Sequence, residues 1–344
     1  MYSCTFYISF QENAVLHIVN GDCAIEALKD SGIEGDFLSW LDVLHDGPVP
    51  EGLSLEELSE VRAEFIADCD WAVLEKAKNA FQKRDIVFRK CHKYDEVVLW
   101  NSFELFDQLH IMQLLDGFAQ ARDNFQHLSV IFFDDYLGSG SIESLPQWLE
   151  KRELVSKKQL VLGQLGWKAF TAQTPELMFE LAQQDTSVLP FLQSGLLRLF
   201  EEFPADGCGL TRTEHCILDK VRGGVSQLVR LFSAVQAEEP VHFMGDWSFW
   251  KRVRGLVEAP QPLLEVEGDV SFYEPPKTPF PDQVFRKFEV GLTGLGIEVL
   301  DNVVDWHAHN PRTFWIGGIH LHPGNDWRWN AERGKFIINE LSPL

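Results

Sequence analysis

The sequence predicts an α/β protein. It has an open, mainly parallel, Rossmann-like sheet in an N-terminal domain, then a helical linker and a C-terminal winged-helix-like α+β domain. Three observations carry this reading. Short apolar runs alternate with amphipathic stretches of helix length through the first 150 residues. Two of those runs break into carboxylate-bearing turns, Asn20-Gly21-Asp22 and Asp42-Val43-Leu44-His45-Asp46-Gly47-Pro48, as expected at the ligand-facing edge of an open sheet. Residues 209–300 read as three short helices followed by a hairpin.

In chain order, Val15 to Val19 is a compact apolar strand, and Asn20-Gly21 turns it into a helix from Cys23 to Asp30. Phe37 to Val43 carries the aromatic and aliphatic weight of a second strand. Leu53 to Lys90 holds two helical patterns, with Leu55, Leu58, Val61, Phe65 and Ile66 at three-to-four spacing behind a cap at Ser54. Glu96 to Trp100 is a third strand, followed by a helix bearing Leu105, Leu109, Met112, Leu115 and Phe118, and Leu128 to Phe133 is a fourth. Strands separated by helices of this length call for parallel pairing with right-handed crossovers.

The predicted domains are 1–145, a helical connector over 146–207, and 208–344 with an aromatic tail. In the last of these, helices are expected over Thr211–Val221, Ser226–Val235 and Asp246–Val257. The strands Leu263–Val266 and Phe288–Leu292 follow, and then a Leu-Thr-x-x-Gly-x-x-Val-Leu tail. At 344 residues, two or three hydrophobic cores are expected.

Charge excludes some functions. The formal net charge is −22, and residues 1–150 carry 27 Asp and Glu against 10 Lys and Arg, a balance that repels phosphate backbones. Residues 209–260 hold seven basic and six acidic side chains, with Lys251, Arg252 and Arg254 the one basic cluster, interleaved with tryptophans. Nucleic acid is therefore not the expected partner. No apolar run reaches the length of a membrane span, and Met1 to Gln11 lacks the pattern of a signal peptide. The six cysteines are dispersed without CxxC spacing, which fits reduced thiols and a cytoplasmic setting.

After the four predicted strands come Asn20 and Asp22; Asp42, His45 and Asp46; Asn101, Glu104 and Asp107; and Asp134 and Asp135. In a parallel sheet these turns share one edge, so Asp22, Asp46, Glu104 and Asp107 are the candidate catalytic groups. Asn20, Gly21, His45, Asn101, Gln108, Arg312 and His320 are candidate ligand contacts. Each also has a structural reading, as a helix cap, a turn residue or a solvated first turn. Carboxylates crowded into a cleft raise one another's pKa unless a cation or basic substrate group neutralises them, and Mg²⁺ is compatible with such a site. On that basis Asn20, Asp46 and Glu104 are expected around one cleft, and Asp46→Asn is expected to stabilise the fold. No GxGxxG follows the first strand, and neither GxxxxGK[ST] nor GxSxG occurs. Ser139 and Ser141 form a Gly/Ser turn able to meet an anion. His307/His309 and His320/His322 are HxH pairs that either hold metal or line a polar strand face.

The blocks HIVNGD, DVLHDGPVP, LSLEELSEVRAEF, DEVVLW and DQLHIMQLLD resemble the uncharacterised bacterial family known as domain of unknown function 1835, over residues 14–135. The blocks TSVLPFL, RTEHCILD, FMGDWSFW, IGGIHL and WRW extend the resemblance through most of the chain. Similar sequences often carry an aromatic-Glu-His-Asp run after the third strand, where this chain has Asn101-Ser102-Phe103-Glu104. The family brings no established activity, so the resemblance implies architecture rather than chemistry. The function expected is a small-molecule site at the sheet's carboxyl edge, as in an enzyme acting on a phosphorylated or nucleotide-like compound. The alternative is a ligand-sensing regulator whose winged-helix-like domain contacts a protein partner or a second copy.

Overall fold

The computed structural model describes residues 14–121, 127–134, 142–242, 244–267 and 288–338. The stretch Met1–Gln11, Cys4, Asp135, the Ser139/Ser141 turn and most of the Pro-rich loop after Val266 lie outside them. A five-stranded sheet runs in the order β2-β1-β3-β4-β5. Its strands are β1 (Val15–Val19), β2 (Asp36–Ser39), β3 (Glu96–Ser102), β4 (Leu128–Phe133) and β5 (Glu153–Leu154). β1 to β4 pair in parallel, with Leu16 opposite Asp36 and Val97, and the two-residue β5 pairs antiparallel with β4. The order reverses at β1, whose neighbours are β2 on one side and β3 on the other. The crevice of an open sheet therefore falls beyond the ends of β1 and β3.

Both faces are covered, which is why the strands are near-continuous apolar runs. Helices α1 (Asp22–Asp30) and α5 (Leu145–Glu150) close one face around Leu28, Val98, Ile131 and Phe133. On the other face lie α2 (Leu55–Asp68), α3 (Leu74–Arg89) and α4 (Leu105–Gln120). α2 starts at a capping box in which Ser54 and Glu57 satisfy each other's backbone. α4 buries residues on every side, from Leu105 and Leu109 to Ile111, Met112, Leu114 and Leu115, as a helix enclosed by protein must.

That enclosure comes from the second half of the chain. α6 (Lys157–Thr171) crosses α4 so closely that a Cβ on Gly163 or Gly166 would stand 2.3 Å from Leu115 Cβ or 2.4 Å from Met112 Sδ. α7 (Glu176–Ala182) and α8 (Leu192–Phe200) follow. Then come α9 (Arg212–Arg222), α10 (Leu228–Gln236) and α11 (Asp246–Glu258), and the antiparallel pair β6 (Leu264–Glu267) and β7 (Glu289–Leu292). Gln227 bridges to Glu289 and adds a one-residue third strand. The largest buried cluster runs from Leu16 to Trp329 and takes in residues of both the sheet and the C-terminal helices.

Three elements depart from the sequence reading. β2 ends at Ser39 rather than Val43, because Asp42 is drawn into an ion pair with Arg62 of α2 instead of continuing the ladder. Thr293 caps a helix, α12 (Gly294–Leu300), where a tail was expected. His307 and His309 fall in a short helical turn, α13 (Trp306–His309), and not on a strand. The chain closes with β8 (Phe314–Ile316), β9 (Ile319–Leu321), β10 (Trp327–Asn330) and β11 (Lys335–Ile338), paired as two hairpins. Among the described residues no helix is long and apolar enough to cross a membrane.

Candidate functional site

β1 and β3 deliver Asn20 and Asn101 to the crevice, and the first turn of α4 brings Asp107 up beside them. The Asp107 carboxylate accepts from the Ser102 backbone N–H at 2.6 Å and from the Asn20 side chain. Asn101 Nδ2 donates to the Asp107 carbonyl at 2.8 Å, and Gln108 Nε2 donates to Asn101 Oδ1 at 3.0 Å and to the Ser102 carbonyl at 2.5 Å. Ser102 Oγ donates to Glu104 at 3.2 Å. A small cavity of about 10 Å³, room for about one water-sized group, is lined by Asn20, Trp40, Trp100, Asn101, Asp107 and His110 with apolar neighbours. Of the predicted residues, Asn20, Asn101, Glu104, Asp107 and Gln108 are therefore one site.

Its electrostatics follow from burial without a counter-charge. Burial pushes the Glu104 carboxyl up to about 8, with the neighbouring Asp107 adding to the shift and the Ser102 hydroxyl opposing it. Burial also raises Asp107, against hydrogen bonds from Ser102 and Asn20. No cation appears among the groups acting on either carboxyl. His110, one turn along α4 from Asp107, directs Nε2 to the Asp42 carbonyl at 2.7 Å, and burial lowers its pKa to about 4, so the ring is neutral.

Asp46 and His45 belong to a second cluster. The Asp46 carboxylate meets Arg252 of α11 at 2.8 Å, and His45 Nε2 lies 3.2 Å from Ser248 Oγ on the same helix. Burial works against the charged form of Asp46, yet Arg252 and then Lys251 outweigh it and hold the carboxyl well below its ordinary range. The expectation that Asp46 repels its neighbours is corrected here, because its partner is an arginine and not another carboxylate. Asp46→Asn is accordingly expected to destabilise. Gly47 permits the turn, with φ +76° and a Cβ position 2.5 Å from the Phe65 ring.

The remaining candidates lie apart from the crevice contacts. Gly21 is the extended N-cap of α1, Asp22 sits exposed in its first turn, and Asp134 is exposed after β4. Arg312 forks onto Glu214 of α9 and covers the Trp306 ring, 4.4 Å from its centroid, so it is held away from the sheet edge. His320 stacks on Trp315 at 4.3 Å. His307 is buried against Asp326 at 3.1 Å, which separates it from His309 on the helical turn. Among the described residues no group of three or more His, Cys, Asp or Glu is arranged to hold a metal ion.

Ser102 and His110 were missed by the sequence reading. A signal for His110 existed, since it follows Asp107 by three residues on one helix face. The buried ion pair that joins the halves of the chain gave none, because Asp46 and Arg252 are far apart in sequence. Arg198 bonds Glu202 at 3.0 Å and Glu239 at 2.6 Å, and Arg252 lies 3.8 Å from Glu202. No protein-family model matches the chain, and no curated protein matches it either.

Proposed function

We propose that this protein binds a small molecule at the carboxyl edge between β1 and β3 and uses the Glu104–Asp107 pair for proton transfer to or from it. One observation supports the reading above the others. Two carboxyls with raised pKa values, one of them poised near neutrality, sit at the switch point of an open α/β sheet. A phosphorylated ligand draws no support from these charges, since no basic side chain is among the groups that act on the pair. The proposal includes membership of the uncharacterised family that the HIVNGD and DVLHDGPVP blocks resemble, and a cytoplasmic setting.

The order of α9, Gln227, α10, α11, β6 and β7 supports a winged-helix-like reading of the C-terminal region. Its third helix is committed within the chain. Arg252 pairs with Asp46, and Lys251 lies 4.4 Å from the Phe65 ring centroid. We therefore propose that this module docks on the sheet domain rather than on nucleic acid. A mobility shift at physiological salt is expected to show no duplex affinity tighter than roughly 10⁻⁶ M, the non-specific range.

The proton-transfer reading is tested through pH. A carboxyl near 8 in the folded chain and 4.5 unfolded means that the native state holds more protons between those values, so stability falls as pH rises through that window. Glu104→Gln removes this slope. The gap in urea midpoint between variant and wild type is expected to widen in the variant's favour from pH 5 to pH 8.5. Parallel stability curves would sink the assignment. A thermal-shift screen of metabolites then identifies ligands whose effect is lost in Glu104→Gln and Asp107→Asn.

A further inference from the structure

Beside the crevice, two buried acceptors are left without partners, while the indole donors of the lining tryptophans are engaged. Trp40 Nε1 donates to Gln113 Oε1 at 2.8 Å, and Trp100 Nε1 to His17 Nδ1 at 3.1 Å. Asn101 Nδ2 gives one N–H to the Asp107 carbonyl, and the Asn20 side chain bonds the Asp107 carboxylate. His110 must carry its proton on Nε2, because that nitrogen faces a carbonyl oxygen. Its Nδ1 is therefore an acceptor, and it has no hydrogen-bond partner although the ring is only 3 % exposed. Gln108 is fixed in the same way. Its Nε2 points at the Ser102 carbonyl, which leaves Oε1 as a second buried acceptor without a partner.

We infer that this crevice receives the protonated amine head of its ligand, a primary ammonium group. This rests on the small-molecule reading above and names the ligand's chemical class. An ammonium group is donor-only. It matches the water-sized cavity, bonds the Asp107 carboxylate and His110 Nδ1, and supplies the positive charge that the Glu104–Asp107 pair lacks. A phosphate or carboxylate head would bring a further negative charge beside the Asp107 carboxyl.

The test uses the full chain and two probes of equal charge, methylammonium chloride and tetramethylammonium chloride, at matched ionic strength. Methylammonium is expected to raise the thermal midpoint saturably and to shift the amide resonances of Asn20, Asn101 and Ser102, while tetramethylammonium, with no N–H, does neither. Asp107→Asn keeps an acceptor for the Ser102 N–H and is expected to weaken methylammonium binding about tenfold or more. Glu104→Gln, at the half-buried rim, weakens it in the same direction and serves if Asp107→Asn fails to fold. An equal response to both probes overturns the inference, since it would be a salt effect. Neutral or anionic metabolites that bind in a Glu104- and Asp107-dependent manner, with methylammonium silent, overturn the amine head alone and leave the small-molecule reading standing. Silence from methylammonium and from the metabolite screen together removes both.

Discussion

Arg252→Ala is expected to destabilise the folded chain by about 3–5 kcal/mol, the usual cost of leaving a buried carboxylate without its cation. Arg252 reaches from α11 to Asp46, which is 2 % exposed, and lies near Glu202, which is 3 % exposed. Glu202 keeps Arg198, whereas Asp46 is left with the more distant help of Lys251. The pH dependence has a definite sign. The Asp46 carboxyl is depressed in the folded chain, so its contribution is present above the ordinary carboxylate range and is lost as pH falls below it. Urea midpoints at pH 7 and pH 3 check both points: the gap between wild type and Arg252→Ala is expected to be wide at the first and smaller at the second. A loss at pH 7 under about 1 kcal/mol, the range of a surface pair, would show that the halves of the chain do not lean on this contact. Replacing Asp46 and Arg252 together by apolar residues is expected to cost much less than either single change.

Arg62→Ala is expected to cost a similar amount, about 3–5 kcal/mol, by a different route. The Arg62 side chain is fully buried and forks onto Asp42, with Nη2 to Oδ1 at 2.8 Å and Nε to Oδ2 at 3.2 Å. It also donates to the carbonyls of Asp46 at 2.7 Å, Val43 at 3.0 Å and Pro48 at 3.2 Å. One guanidinium thus organises the segment between β2 and α2. Its removal orphans a buried carboxylate and several carbonyls at once. Arg62→Lys is expected to recover little, because an ammonium cannot reproduce a planar fork of donors. Limited proteolysis supplies the second readout, with cleavage between Leu41 and Val49 expected in Arg62→Ala and not in wild type.

The parts of the fold that rest on local pattern were legible in the sequence. β1, β3 and β4 are mostly apolar runs, and α2, α6 and α9 each begin at a capping box whose residues stand three apart. From alternating strands and helices the parallel sheet follows, and from the sheet the meeting of Asn20, Asn101, Glu104 and Asp107. What failed was the assumption that every polar residue after a strand stays at the strand's edge. Asp42 and Asp46 leave it because arginines some 20 and 200 residues away, Arg62 and Arg252, draw them into the interior. Arg312 pairs with Glu214 across about 100 residues, a contact equally invisible in local pattern. Pairings of this kind depend on tertiary placement, which hydrophobic period does not encode.

The enclosure of α4 also bears on how the chain is made. A helix buried on all sides in the finished fold leaves the ribosome well before α6 and α8, which cover its outer flank, have been synthesised. The stretch from Gln120 to Phe200 takes roughly 4–16 s to translate at 5–20 residues per second. For that interval Leu115, Met112 and their neighbours have sheet on one side and water on the other. Nascent chains arrested between these points are the species most prone to chaperone capture and aggregation, and the tight Gly163 and Gly166 crossing is the step that ends their exposure.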